Sequence, residues 1–282
     1  MDDLAGAKVL ITGATDGLGR RVAFDLAAAG ATVLLHGRSR ERLEATLEEA
    51  REETGSEKLG SYLADLSSLG EVRALAEQVI AEQDRLDVLI NNAGIIAQER
   101  KESEDGYELT FAVNYLSHFL LTRLLLPLLK DSAPARIVNV ASAGQSPLDF
   151  SNLMLEHGYD AMKAYSQSKL AQVMFTFELA ERLRGSGVTV NALHPASLMD
   201  TRMVRETFGR SMSTVEEGAE ATVRLAVSPE LEGVTGRYFD GTREGRAERQ
   251  AYDEEARKRL WVLSEELCGR LLEPLRSGAV DA

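Results

Sequence analysis

The chain has 282 residues, 44% of them hydrophobic and 27% charged, enough apolar material for a sizeable core under an ordinary solvated surface. Its net charge of −13 at pH 7 and pI near 4.9 argue against nucleic acid or an anionic membrane as partner, because both call for a basic face. Cys268 is the only cysteine, which excludes an internal disulfide and points to a reducing, cytoplasmic setting where the thiol packs rather than reacts.

Only a few residues precede the first apolar run, so neither signal peptide nor membrane anchor is expected. That run, Val9-Leu10-Ile11, suits a strand buried on both faces, and Val22 to Ala29 has helical apolar spacing. Thr12, Gly13, Gly17 and Gly19 lie between them. Glycines at a strand-to-helix turn let the backbone approach a ligand, and the helix N-terminus favours negative charge, so the expected ligand is a dinucleotide pyrophosphate. The spacing is T-G-x-x-x-G-x-G rather than G-x-G-x-x-G, and alone it suits a tight connection in any α/β protein.

Ala31 to Leu35 is a second strand, ending in His36-Gly37-Arg38. The acidic residue that binds a ribose 2′-hydroxyl in dinucleotide folds is missing here, and the planar fork of Arg38 suits a 2′-phosphate. NADP(H) is therefore favoured over NAD(H). Arg20 adds charge nearby, although Arg20, Arg38, Arg40 and Arg42 also read as a solvated basic stretch. Glu41 to Glu53 is a surface helix. Lys58 to Ala64 is a strand that delivers Asp65 and Leu66 to the ligand edge, where Asp65 either meets a ligand or caps the next helix, with Ser67 and Ser68 as other caps. Leu69 to Gln83 is a helix and Asp87 to Ile90 a strand running into Asn91-Asn92-Ala93-Gly94.

Tyr107 to Leu129 reads as a long helix carrying Asn114. Its most apolar part, Leu116 to Leu129, is interrupted by Ser117, His118, Thr122 and Arg123 and is too short to span a bilayer, so a buried helix is expected. Arg136 to Val140 is a fifth strand closing on Ser142. The irregular stretch Gln145 to Gly158 precedes a helix from Tyr159 to Arg184. A strand from Thr189 to Leu193 ends in His194-Pro195. An amphipathic helix (Thr214 to Ala226), a short strand (Gly236 to Phe239) and a charged helix (Asp253 to Leu272) complete the chain. Strands alternating with helices, without repeat or linker, predict one α/β domain with a doubly wound parallel sheet of about seven strands and helices on both faces.

Tyr165 and Lys169 are four apart on one helix and emerge on one face. A neighbouring ammonium favours the phenolate, which brings a phenol that titrates near ~10 toward proton exchange at neutral pH. Ser142, at a strand end, can donate to the same carbonyl oxygen.

TGATDGLG (Thr12 to Gly19), Asp65, NNAG (Asn91 to Gly94), Asn114, Ser142 and Tyr165-x-x-x-Lys169 together resemble the short-chain dehydrogenase/reductase family over nearly the whole chain. YSQSKLAQVMFTFELAERL (Tyr165 to Leu183) and GVTVNALHP (Gly187 to Pro195) are similar to its retinol-dehydrogenase and WW-domain-oxidoreductase-like branch. The resemblance implies a Rossmann fold and an NADP(H)-dependent oxidoreductase that interconverts an alcohol and a ketone or aldehyde. Tyr165 would be the general acid or base, and Lys169 would lower its pKa and hold the nicotinamide ribose. Ser142 would polarise the carbonyl, and Asn114 would hold a relay water. Gly13, Thr15, Asp16, Gly17, Leu18 and Gly19 would wrap the pyrophosphate. Asp65 and Leu66 would meet the adenine, and Asn92, Ala93 and Gly94 the ribose side.

Pro195-Ala196 replaces the family's Pro-Gly, which leaves Thr201 or Ser197 to reach the carboxamide beside Pro195. Residues 196–213 form a substrate lid in which Leu198, Met199, Met203, Val204, Phe208 and Met212 offer an apolar wall. Gln145 to Gly158 would rim the entrance. Relatives often pair into homodimers or homotetramers through the helices bearing Asn114 and Tyr165, and the extension 242–282 would cap the pocket or block that pairing. An NADPH-binding regulator without turnover is the alternative reading, one typically accompanied by loss of the Tyr or Lys.

Overall fold

The computed structural model describes residues 4–273 and 275, so the last residues of the predicted 1–282 domain lie outside the described ones. Its centre is an eight-stranded sheet in the order β3-β2-β1-β4-β5-β6-β7-β8. The strands are β1 (Lys8–Ile11), β2 (Thr32–Gly37), β3 (Leu59–Leu63), β4 (Val88–Asn91), β5 (Ala135–Val140), β6 (Val188–His194), β7 (Tyr238–Asp240) and β8 (Arg243–Glu244). All pairings are parallel except that of β7 with the two-residue β8, an eighth strand too short to leave a periodic signal.

The chain runs outward from β1 through β2 to β3, then returns to lay β4 on the other side of β1. Val9 therefore faces Val33 on one side and Val88 on the other. The strand order reverses there, so a crevice opens beyond the carboxyl ends of β1 and β4, the usual place for a ligand in such sheets. Strand side chains alternate between two cores. Leu10, Leu89 and Ile137 point to one, while Val9, Ile11, Ile90 and Val138 point to the other.

The second face is covered by α1 (Gly17–Ala28), α2 (Arg40–Thr54) and the later α8 (Val215–Val227). The first is covered by α3 (Leu69–Glu82), then α4 (Leu109–Phe111), a π-helical stretch (Ala112–Leu116) and α5 (Ser117–Asp131) in one continuous helix, and by α6 (Ala161–Arg182). Ser68, not Asp65, caps α3 by accepting from Glu71 N–H. Residues Leu109–Asp131 make a helix of 23 residues, long and apolar enough to cross a membrane by length and composition, which corrects the shorter span read from sequence. Of its most apolar window, 78% is buried inside the fold, as expected of a core helix.

The extension leaves the sheet through β8 and ends in α9 (Glu254–Cys268), which lies across α5 and α6. Trp261 anchors it, with its ring centroid 5.2 Å from Phe119 and 6.0 Å from Phe175. Tyr115 and Ser264 hydroxyls meet at 2.7 Å, and Arg123 pairs with Glu265 at 2.6 Å. This packing covers the faces of α5 and α6. Cys268 is buried and its thiol pKa is pushed up to about 12 by burial, consistent with packing.

Candidate active site

The glycine turn closes tightly because two positions have no room for a side chain. Gly13 sits at φ +66, and a Cβ there would come within 2.9 Å of Ala93 Cα. A Cβ on Gly19 would collide with the Gly13 carbonyl and the Asn92 amide. Asn92 staples the turn from the β4 side, its Nδ2 donating to Thr12 O at 2.9 Å and Gly13 O at 3.1 Å. His36, which the sequence reading passed over, braces the turn from β2: its Nδ1 accepts from Gly13 N–H at 3.2 Å and its Nε2 donates to Ala64 O at 3.1 Å. Burial holds His36 down at about 4, so the ring is neutral and can accept.

The other predicted cofactor residues divide by what their side chains already do. Asp16 caps α1 by accepting from Gly17 N–H and pairs with Arg42 at 2.9 Å, while Arg42 also donates to Thr15 O. Arg20 pairs with Glu49 at 2.6 Å. Arg38, exposed just past β2, has no ion pair or hydrogen bond among the described residues. Asp65 accepts from Ser67 N–H. Leu18 and Leu66 are buried in opposite cores, so only their main chains can face a ligand.

The second half of the site gathers at the ends of β4 and β5. Asn114 is fully buried in the π-helical stretch, a local widening that often marks functional positions. Its carboxamide accepts from Ile95 N–H at 2.8 Å and donates to Ile95 O and Ser168 Oγ, and its main-chain carbonyl lies 3.1 Å from His118 Nδ1. Ser142 Oγ accepts from Gly144 N–H at 3.0 Å, so its own proton is free to be donated. The Ser142 carbonyl accepts from Gln145 Nε2 at 2.7 Å and the Tyr238 hydroxyl at 3.1 Å, contacts that set the serine's loop.

Ser142, Tyr165 and Lys169 converge. A Cβ built on Gly144 would lie 3.5 Å from Ser142 Oγ and 3.9 Å from the Tyr165 ring, and Lys169 Nζ is 5.7 Å from that ring's centroid. Gly94 brings the NNAG segment alongside, since a Cβ there would be 3.5 Å from both Lys169 Nζ and Asn114 Oδ1. The electrostatics differ from the expectation in one respect. Burial pushes the Tyr165 phenol up, and the neighbouring Ser142 hydroxyl, which lowers it, does not offset this. Burial also holds Lys169 down at about 7, so the ammonium that should favour the phenolate is itself partly discharged at neutral pH.

Thr201 caps α7 (Arg202–Phe208), a helix not read from sequence, by accepting from Val204 N–H. Its methyl lies 3.0 Å from where a Gly17 Cβ would sit, so it overhangs the glycine turn. Ser197 Oγ lies 3.1 Å from His194 Nε2, and with Pro195 it lines a polar hollow of about 500 Å³ shared with Glu217 and Asp240. The lid is divided: Met199 packs into the core, α7 buries no residue, and Phe208 and Met212 are exposed. The stretch from Gln145 to Gly158 is only partly a rim. Leu148, Leu153 and Leu155 are buried, and Gln250 of the extension bonds both the N–H and the carbonyl of Leu148.

Comparison with known proteins bears on this arrangement. A family model described as short chain dehydrogenase matches residues 7–211. The chain is 42% identical to retinol dehydrogenase 13 of Mus musculus over 284 residues, covering 94% of this chain and 85% of the relative. It is likewise 42% identical to retinol dehydrogenase 14 of Homo sapiens over 299 residues, covering 94% and 87%. Among solved structures, an uncharacterised protein from Mycobacterium paratuberculosis superposes with a TM-score of 0.78 at 32% identity, covering 95% of each chain. A Shigella flexneri protein described as a short chain dehydrogenase and complexed with NADP superposes with a TM-score of 0.71 at 28% identity, covering 85% of this chain and 98% of that one.

Proposed function

The chain belongs to the short chain dehydrogenases, oxidoreductases that act on CH–OH groups, and from that premise we propose that it interconverts an alcohol and a ketone or aldehyde on an apolar small molecule with NADP(H). The observation that carries the reading is the meeting of Ser142, Tyr165 and Lys169 beside Gly94 at the reversal of strand order. Retention of all three supports turnover over a cofactor-binding regulator.

The crevice suits a nicotinamide dinucleotide. The glycine turn opens α1 at one end, Lys169 stands at the other, and the exposed Arg38, with no ion pair among the described residues, would hold a 2′-phosphate. When bound, the nicotinamide supplies or takes the hydride. Tyr165 gives a proton to the carbonyl oxygen in reduction and takes it from the alcohol in oxidation. The free Ser142 proton is donated toward that same oxygen, and Lys169 stabilises the phenolate. The exposed Phe208 and Met212, and retinol dehydrogenase relatives at 42% identity, support an apolar substrate.

The test is NADPH oxidation against a panel of apolar aldehydes and ketones, retinoid aldehydes included, with Tyr165→Phe as control. We expect turnover on part of the panel and a loss of about 10²–10⁴-fold in the variant, with NADPH affinity kept. Tight NADPH binding with no turnover anywhere on the panel overturns the reading.

A further inference from the structure

Lys169 has neighbours besides Tyr165 that the catalytic scheme does not use. Its ammonium donates to Val140 O at 2.8 Å and to Gln172 Oε1 at 2.9 Å. An ammonium only donates, so the Gln172 oxygen faces it and the Gln172 NH₂ points at His118 Nδ1, 3.2 Å away. His118 Nδ1 also lies 3.1 Å from Asn114 O, which only accepts, so the neutral imidazole carries its proton on Nδ1 and its Nε2 accepts from the Thr12 hydroxyl at 3.1 Å. Thr12 Oγ1 in turn accepts from Asn92 N–H at 2.9 Å and Ala93 N–H at 3.0 Å. All four side chains are buried, at 3% exposure for Lys169, 1% for Gln172 and His118 and 0% for Thr12. A row of buried polar side chains thus runs from the catalytic lysine to the start of the glycine turn, and Gln172 is the one that bonds the lysine.

The titratable groups around this chain are few. Tyr165 faces Lys169 from the same helix, His118 comes from α5, and His36 reaches the turn from β2 through Gly13. Burial is the cause that lowers Lys169, with no carboxylate opposing it. Burial, reinforced by Lys169, holds His118 down at about 3, so the ring stays neutral through the working range. The polar atoms available to keep the lysine charged are therefore the Val140 carbonyl and Gln172.

We propose that Gln172 is a positioning residue for proton transfer: its side-chain oxygen orients the Lys169 ammonium and keeps it charged. The proposal rests on the oxidoreductase reading above and is tested independently of turnover. In the NADP⁺-bound chain labelled with ¹⁵N-lysine, the Lys169 signal is assigned by its loss in Lys169→Ala. Gln172→Met is expected to lower the Lys169 titration midpoint by about one pH unit, the shift that loss of one charge-assisted hydrogen bond produces. His118→Gln, which leaves both partners of the Lys169–Gln172 bond in place, is the control and gives a clearly smaller shift. With less ammonium beside it, Tyr165 holds its proton to higher pH, so the alcohol-oxidation profile of Gln172→Met moves upward in pH with unchanged affinity for NADP⁺. An unmoved Lys169 midpoint in Gln172→Met, or an equal shift in His118→Gln, overturns the proposal. A moved midpoint in a chain that turns nothing over sinks the oxidoreductase reading and leaves the positioning assignment standing.

Discussion

Trp261→Ala probes whether the C-terminal extension is an integral part of the catalytic core. Trp261 is 4% exposed, between Phe119 and Phe175 on one side and two guanidinium groups on the other, Arg182 at 4.0 Å and Arg123 at 4.8 Å from the ring. Both arginines keep carboxylate partners without the ring, Arg182 with Glu178 and Arg123 with Glu265, so the substitution creates a cavity without stranding a charge. Truncating a buried tryptophan costs about 3–5 kcal/mol. At roughly 2–4 °C per kcal/mol, the largest figure available for domains near this size, Tm falls by about 6–20 °C. The assay is thermal melting followed by far-UV circular dichroism, with urea unfolding of the wild type followed in parallel by fluorescence. Trp261 is the only tryptophan, so its emission reports α9 alone. We expect the fluorescence and dichroism transitions to coincide, since α9 shares one core with α5 and α6. A Tm change below about 2 °C, or fluorescence loss at lower urea than loss of helix, would refute the argument.

Two further outcomes follow from single groups. Arg38→Ala should weaken NADPH binding about 10-fold or more while leaving NADH affinity unchanged, because Arg38 has no partner among the described residues to hold it elsewhere. Competitive titration of both nucleotides checks this, and an unaltered preference counts against the NADP(H) assignment. Acid should destabilise the fold through two buried imidazoles, His36 held at about 4 and His118 at about 3, both below the ordinary value near ~6.5. The unfolded chain takes up protons that the native rings refuse, so this stability is present above ~6.5 and is lost as pH falls toward 4. Urea midpoints at pH 7.5 and 5 measure it. An equal or higher midpoint at pH 5, or the same slope in His118→Gln, contradicts the sign.

What could be read in one dimension was whatever depends on neighbours along the chain. Val9-Leu10-Ile11 followed by Gly13 and Gly19 specifies strand, turn and helix locally, and Tyr165 and Lys169 share a face because helical geometry puts positions four apart together. α7 and β8 were illegible for the same reason, since seven and two residues carry too little periodicity to show. The helix itself is legible from Tyr107 to Leu129, but its apolar run looks short because polar residues interrupt it, and in the fold Ser117, His118 and Thr122 among these are buried and hydrogen-bonded.

The residue types of the site and the alternation of strand and helix were determined by the sequence itself, since backbone propensity and periodicity need no distant contacts. Tertiary structure alone decided that Thr201 overhangs the glycine turn, that α9 covers α5 and α6, and that the Tyr165 phenol is pushed up rather than down. It also decided that Lys169 meets Gln172 and, through it, His118 and Thr12. The physical reason is common to all of these. Burial and long-range hydrogen bonds exist only once distant segments have been brought together, and a proton's affinity for a side chain is set by what surrounds it.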